Sequence, residues 1–341
     1  MAKGRYFYLD NLCGILIIHM IFIIHLAPYC DIDNFAPFPY IRLFFSFFMS
    51  WFFFKSGMFF KKESLKQTLI GSTRRLLVPY LLFNFIGAFF EYIYLIEHNN
   101  LFDAFFKIVS EILYDESPFF SLANWFLLSL FICRIIYSIL IKIKIPSICI
   151  FFFSFLIAFY LYYRFYIAKP DPIYINIKGK NLLLYIPYYI GNIFHGLACY
   201  SAGHLLKEKQ FNRYILLLSL VLFLIHFIYP SILGVRSNSC DKNYFLGTIY
   251  NLSGIIVFNN IFYRFFNKKI GLLSYVGQNS MVYYVTHYIV LSVIFHFIID
   301  INNISNRVVL FGIMVIILST FLYIFDLIFK KNPKIRFLIG K

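Results

Sequence analysis

Residues 8–28 read YLDNLCGILIIHMIFIIHLAP, with one formal charge, Asp10, at the start and two histidines, His19 and His25, further in. At 1.5 Å per residue such a run is about 30 Å long as a helix, the thickness of a bilayer's hydrocarbon core. Nine more stretches of this kind follow, at roughly 39–60, 76–96, 119–141, 146–166, 182–205, 214–233, 245–265, 280–299 and 308–329. The composition agrees. Hydrophobic residues make up 61% of the chain and charged residues 13%, with a mean hydropathy of +0.76. A soluble domain has about 45–50% apolar and about 25% charged residues. The expected fold is all-α: one integral-membrane domain over residues 1–341, a polytopic bundle of about ten transmembrane helices. There is no internal repeat and no soluble domain boundary.

The charges set the orientation. With the N-terminus assigned to the cytoplasm, alternate connections collect 20 of the 31 Lys and Arg residues on that side. Among them are Lys3, Arg5, Lys61, Lys62, Arg74, Arg75, Lys144, Lys209, Lys269 and Lys341. Acidic residues, including Asp31, Glu97, Glu111, Glu116, Asp171 and Asp300, go to the other side. This is the positive-inside pattern, and with an even helix count it places both termini in the cytoplasm. The same pattern accounts for the net charge of +16 without nucleic acid, since no basic cluster is interleaved with stacking aromatics on a soluble face. The first helix follows Lys3 and Arg5 as a signal peptide would, but His25, Pro28 and Cys30 stand where small cleavage-site residues belong, so it is read as uncleaved. None of the six cysteines forms a CxxC pair, so neither a disulfide framework nor a metal site is expected.

Two connections are distinctive. In residues 101–114, Asp103, Lys107 and Glu111 recur every four positions opposite an apolar face. That spacing fits either an amphipathic helix on the outer leaflet or an ordinary capped connection. The 164–181 connection carries Pro170, Pro172 and Gly179 and reads as a loop.

Ionisable groups inside spans are costly and point to function by default. Helix 1 holds Asp10, Asn11, His19 and His25, and helix 2 holds Lys55 beside Ser56 and Gly57. Helix 3 opens with Arg74-Arg75 and has Pro79 in its first turn or so. The ninth span begins Gly277-Gln278-Asn279-Ser280 and reaches His287. Lys55 and Arg134 also fit snorkelling cations near helix ends, and His195, His204, His226 and His296 fit interfacial or pore-facing positions. Six residues separate His19 from His25, a net rotation of about 240° on an ideal helix, so they cannot share one small site without a bulge.

These residues also resemble a family. Leu9-Asp10-Asn11-Leu12-Cys13-Gly14-Ile15, followed by His25, is similar to the first helix of the membrane acyltransferase 3 family. That helix opens with Asp-x-Leu-Arg/Lys-Gly-Ile and has a His eleven residues after the basic residue. The Phe-rich run ending Lys55-Ser56-Gly57 resembles the family's second helix, and Arg74-Arg75-Leu-Leu-Val-Pro79-Tyr80 its third. Asn124-Trp125-Phe126-Leu127, Tyr188-Tyr189-Ile190-Gly191 with Tyr200-x-x-Gly203, and Gly277-x-Asn279-Ser280…Tyr284…His287 are similar to later segments. The ordered resemblance covers about residues 5–330. Two departures stand out. Cys13 replaces the basic residue, and His25 follows it by twelve positions rather than eleven. A π-bulge in the helix would absorb the extra residue; a shift in the alignment is the alternative.

The resemblance implies an acyltransferase that moves an acyl group, usually acetyl, from acyl-CoA to a sugar hydroxyl of a cell-surface or lipid-linked glycan. It implies a multi-pass cell-membrane protein, with the bacterial inner membrane as its setting. His25 is the expected general base, a role that suits an imidazole near neutral pH. Arg74 and Arg75, at the expected N-terminus of helix 3, with Lys55 and Ser56, are expected to hold the coenzyme A phosphates. Asp10, His19, Asn279, Ser280 and His287 are further candidates, and Asp10 is expected to pair with Arg74 or Arg75. Acetyl-CoA would be a co-substrate, with no permanently bound cofactor. The other partners expected are a carbohydrate acceptor and the bilayer. A glycan or lipid transporter or flippase is the alternative, with the buried His and Lys as its pathway. A family member without chemistry, given Cys13, is a third reading.

Overall fold

The computed structural model describes residues 6–97, 100–167, 173–177, 180–184, 189–298 and 306–340. Lys3, Arg5, Pro170, Asp171, Pro172, Gly179, Tyr188, Asp300 and Lys341 lie outside the described residues. In chain order the helices are α1 (Phe7–Tyr29), α2 (Phe38–Phe44), α3 (Phe48–Met58), α4 (Leu65–Ile96), α5 (Leu101–Asp115), α6 (Phe119–Lys142) and α7 (Ser147–Phe165). They continue with α8 (Tyr189–Leu206), α9 (Arg213–Ile228), α10 (Tyr244–Phe265), α11 (Gly271–Gln278), α12 (Ser280–Ile298) and α13 (Arg307–Lys331). Two antiparallel hairpins interrupt them: β1 (Ile173–Ile177) with β2 (Lys180–Leu184), and β3 (Leu233–Gly234) with β4 (Ser239–Cys240).

Among the described residues, α1, α4, α6, α7, α10, α12 and α13 are long and apolar enough to cross a membrane. The other three expected stretches take different forms. Residues 39–60 break at 45–47 into α2 and α3, residues 182–184 belong to β2 so that α8 begins at Tyr189, and α9 has 16 residues. The 164–181 connection is not a simple loop: its Ile-Tyr-Ile-Asn-Ile alternation forms β1, paired with β2 from Ile173 opposite Leu184. Residues 101–114 do form a helix. The Asn100 side chain caps it by accepting from the Asp103 amide at 2.9 Å, and its Ala104 and Ile108 pack with Leu95 of α4.

The polarity is arranged for lipid. The most apolar span, α13, is 22% buried, whereas the least apolar, α10, is 72% buried. The polar side chains of α10 are spent inside the bundle: Asn259 accepts from the Trp51 indole at 2.9 Å and Asn251 donates to Ser50 at 3.0 Å.

Two close crossings hold the interior, and each uses a glycine from both helices. Where α1 meets α11, Gly14 lies against the Leu273 backbone and Gly277 against the Asp10 carbonyl. Where α3 meets α8, Gly57 lies against Tyr200 and Gly203 against Phe54. A Cβ at any of the four would overlap backbone. Gly57 therefore serves helix packing. Small residues at such contacts let helix backbones approach, which in lipid is the main source of helix–helix attraction.

Gly203→Ala should accordingly destabilise the purified protein by about 1–3 kcal/mol, the usual cost of overpacking. Gly312→Ala, with open space around its Cα, should be neutral or stabilise by up to about 1 kcal/mol. Thermal unfolding of the two variants in the same detergent checks this, and equal shifts would refute the crossing argument.

Candidate active site

Helix α1 is α-helical from Phe7 to His19 and then π-helical from Met20 to Leu26. The wider turn takes up an extra residue, and it falls between the two histidines. His19 faces an aromatic wall, its ring 5.1 Å from Phe45 and 5.4 Å from Phe48, and both its ring nitrogens lack a hydrogen-bond partner among the described residues. His25 faces α12 instead. Its Nδ1 lies 2.9 Å from Nε2 of His287, with the two rings stacked at 5.0 Å and Tyr288 edge-on to His25 at 5.1 Å.

The hydrogen-bond partners fix the tautomers. His287 Nδ1 sits 3.0 Å from the Tyr283 carbonyl and 2.8 Å from the Tyr284 carbonyl. Carbonyl oxygens only accept, so Nδ1 carries the proton and Nε2 of the neutral ring is an acceptor. His25 therefore donates from its Nδ1, which leaves the lone pair on its own Nε2. The chain carbonyl–His287–His25 can orient the His25 ring in the way a carboxylate orients a histidine, without placing a charge in the membrane. His287 is buried and His25 half-buried.

One turn below His287, a cavity of about 300 Å³ opens between α1, α3, α4, α6 and α12. Cys13 and Ile17 of α1, Ser56 of α3 and Ser280 and Tyr284 of α12 line it, with three cations, Lys55, Arg75 and Arg134. Lys55 lies with its Nζ 5.0 Å from the centre of the Trp51 ring, which holds the ammonium over an aromatic face. Cys13 occupies the wall, and the positive charge comes from three other helices.

Several expected placements change. Helix α4 starts at Leu65, capped by a Ser64–Gln67 capping box, not at Arg74. Arg74 and Arg75 are mid-helix, in a π-helical segment from Thr73 to Leu77, so the helix-terminus dipole does not act at them. Pro79 lacks the N–H that the helix interior needs, and the wide turn before it relieves the clash of its ring with the preceding turn. Consecutive helical residues diverge by about 100°, so Arg75 reaches the cavity and Arg74 does not. Asp10 accepts from the Gln278 side chain at 3.3 Å, and the expected ion pair with Arg74 or Arg75 is not formed among the described residues. Asn11 ties α1 to the α10–α11 connection through the Phe266 and Lys268 carbonyls at 2.7 and 2.8 Å. Asn279 donates to the Tyr275 carbonyl at 3.0 Å, a structural role where α11 passes into α12. Of the candidate set, the structure brings His25 to His287, and Lys55, Ser56, Arg75 and Ser280 to the cavity. It leaves Arg74, Asp10, His19 and Asn279 outside both groups.

Two residues outside the candidate set belong to the site. Arg134, whose position near a helix end also fits a snorkelling cation, lines the cavity. Tyr284 separates the cavity from the histidines: its ring lines the first and its carbonyl holds His287. Its hydroxyl donates to the Ala123 carbonyl, fixing the ring across the gap between α12 and α6.

The helices define a multi-pass membrane protein, with a cation-lined cavity and a histidine pair stacked along its first helix. The chain belongs to the acyltransferase 3 family, whose model, described as an acyltransferase domain, matches residues 6–324. No curated protein and no solved structure matches it.

Cys13 makes the cavity's charge measurable. In a variant retaining Cys13 as its single cysteine, an anionic thiol reagent should be favoured over a neutral one of similar size by about tenfold, as expected of a cleft that focuses positive potential. Arg75→Ala or Arg134→Ala should remove most of that preference, and Arg74→Ala should leave it. No preference in the parent would contradict a cationic cavity.

Proposed function

We propose that the chain is an O-acyltransferase of the cell membrane, in a bacterial inner membrane, that moves an acyl group, acetyl first among them, from acyl-CoA to a hydroxyl of a cell-surface or lipid-linked glycan. The observation that carries the reading is the oriented His25–His287 pair one turn beyond a cavity with three cations. Coenzyme A is polyanionic at one end and carries its thioester at the other. Lys55, Arg75 and Arg134 would hold the phosphates, and the pantetheine arm would run past Cys13, Ile17 and Tyr284. His25 lies eight residues beyond Ile17, about 12 Å along an ideal helix.

The chemistry follows from the tautomers. His25 Nε2 takes the proton of the acceptor hydroxyl as its oxygen attacks the thioester carbonyl. The resulting imidazolium is stabilised by His287 Nε2, which accepts from His25 Nδ1. The tetrahedral intermediate collapses with cleavage of the carbon–sulfur bond, and the leaving thiolate receives the proton back from His25. The products are the acyl ester and free coenzyme A.

A positioned general base contributes about 10²–10⁴-fold to rate. His25→Ala should lose that much acyl transfer while donor binding survives, and His287→Ala should lose a comparable part of kcat with the donor KM unchanged. His19→Ala, which touches only the aromatic wall, should cost far less. Activity retained in His25→Ala but lost in His19→Ala would discard the site.

We also infer ten crossings with both termini cytoplasmic, counting α2 with α3, α8 and α9 as crossings and α5 as lying on the outer surface. The clustering of Lys and Arg supports it. Reporter fusions after Lys144, Lys209, Lys269 and Lys341 should all read cytoplasm; an external signal at Lys341 rules out the even count.

A further inference from the structure

After α13 the chain folds back onto the bundle as a short 3₁₀ segment, Pro333–Ile339, followed by Gly340. Arg336 fastens it to the end of α13, its Nη2 donating to the Lys330 carbonyl at 3.2 Å. That end is itself tied to α11. Lys330 pairs with the buried Asp326 at 3.1 Å, and the Tyr275 hydroxyl donates to Asp326 and accepts from Lys330. Ile339 is buried in the main core. With Asn279 and Val282 of α12 and Phe329 of α13 it lines a small cavity of about 140 Å³, so the segment reaches α12 as well.

The other end of the segment meets α4. Gly340 has φ 74°, and a Cβ there would overlap the Arg75 backbone, its carbonyl oxygen first. The segment packs along Thr73–Leu77 and along the helix that follows. The sequence shows why this spot is weak by itself. In an α-helix the Arg75 carbonyl accepts from residue 79, and Pro79 has no N–H to give. The π turn at Thr73–Leu77 widens the helix at the same place. A glycine adopts the positive φ without strain and brings its Cα–H groups against that carbonyl, where any side chain would collide. Arg75 of α4 and Ser280 of α12 both line the cation-lined cavity, and Asn279 precedes Ser280. The segment thus joins two walls of that cavity from behind.

We propose that Ile339 and Gly340 are positioning residues for Arg75. Anchored in the core and on α12 and α13, they hold the widened turn of α4 in the register that directs the Arg75 guanidinium into the cavity. The inference rests on the reading of that cavity as the site of the donor phosphates. Consecutive helical residues diverge by about 100°, so even a partial rotation of the turn would swing the guanidinium off the cavity wall. Neither residue lines the cavity, and neither would touch the donor. Their effect passes through the Arg75 backbone alone.

The test uses the full chain with Cys13 as its single cysteine and reads the ratio of labelling by an anionic and a neutral thiol reagent. Gly340→Val sets a branched side chain against Arg75, at a φ that such residues avoid. It should bring the anionic preference of about tenfold down to the level of Arg75→Ala. The two changes together should do no more than Arg75→Ala alone, because residues that act through one group are not additive. For the chain in nanodiscs, the acetyl-CoA KM should rise by about tenfold at unchanged kcat, the order expected when one charge-assisted hydrogen bond is lost. If Gly340→Val does not fold by thermal unfolding, Gly340→Ala and Ile339→Ala, which disturb the same contacts less, carry the same comparison. A preference kept in these variants overturns the proposal. A further loss in the Arg75→Ala background also overturns it, since that is general loosening of the cavity. A preference that falls while the KM stays constant supports the positioning role and refutes the cavity as the donor site.

Discussion

A single extra residue in the first helix decides where its two histidines point. In an unbroken α-helix His19 and His25 would be about 240° apart. Over Met20–Leu26 the hydrogen bonds shift to π register, which changes that rotation and turns His25 onto α12 while His19 stays against Phe45 and Phe48. In water a broken helix can expose its carbonyls to solvent. In lipid that route is closed, so register can change only by a form that keeps the backbone bonded, and a π turn does so. Helix α4 uses the same device at Thr73–Leu77, where it accommodates Pro79 and sets Arg75 on the cavity wall.

The paired glycines make these turns effective. The Gly14–Gly277 contact fixes α1 against α11, which leads directly into α12 through Asn279. His25 and His287 therefore sit on two helices joined at one end by a backbone-to-backbone contact that leaves little room for sliding. The contacts of Gly57 with Tyr200 and of Gly203 with Phe54 do the same for α3 and α8, fixing Lys55 and Ser56 against α8. Both halves of the site thus rest on close packing of small residues, the interaction that remains available when lipid removes the hydrophobic drive between helices.

How much of this was legible in the sequence depends on the kind of information involved. The apolar run at 8–28 and the depletion of charge read out a helical membrane protein, because transfer free energy is a sum over residues. His25 and His287 were each visible as ionisable groups inside spans. Their pairing was not, because it joins residues 262 positions apart. The π turns carry no compositional mark, since a register shift changes hydrogen bonds and not residue types. The twelve-residue spacing from Cys13 to His25 was the one trace of the first, and the structure takes the bulged solution. The start of α4 was misplaced because Pro79 looks like a first-turn proline, whereas the Ser64–Gln67 capping box marks the true end.

Cys13 raises the question of whether a site without the family's usual cation on helix 1 can still hold a polyanionic donor. The cavity answers through redundancy of charge. Lys55, Arg75 and Arg134 come from α3, α4 and α6 and converge on one volume, so the potential inside it does not depend on α1. With Cys13 in the wall, the cavity's positive charge comes from the neighbouring helices. Under the proposed reading, no lysine or arginine of α1 then stands between the cavity and His25 to disfavour the imidazolium that would form as His25 takes the hydroxyl proton.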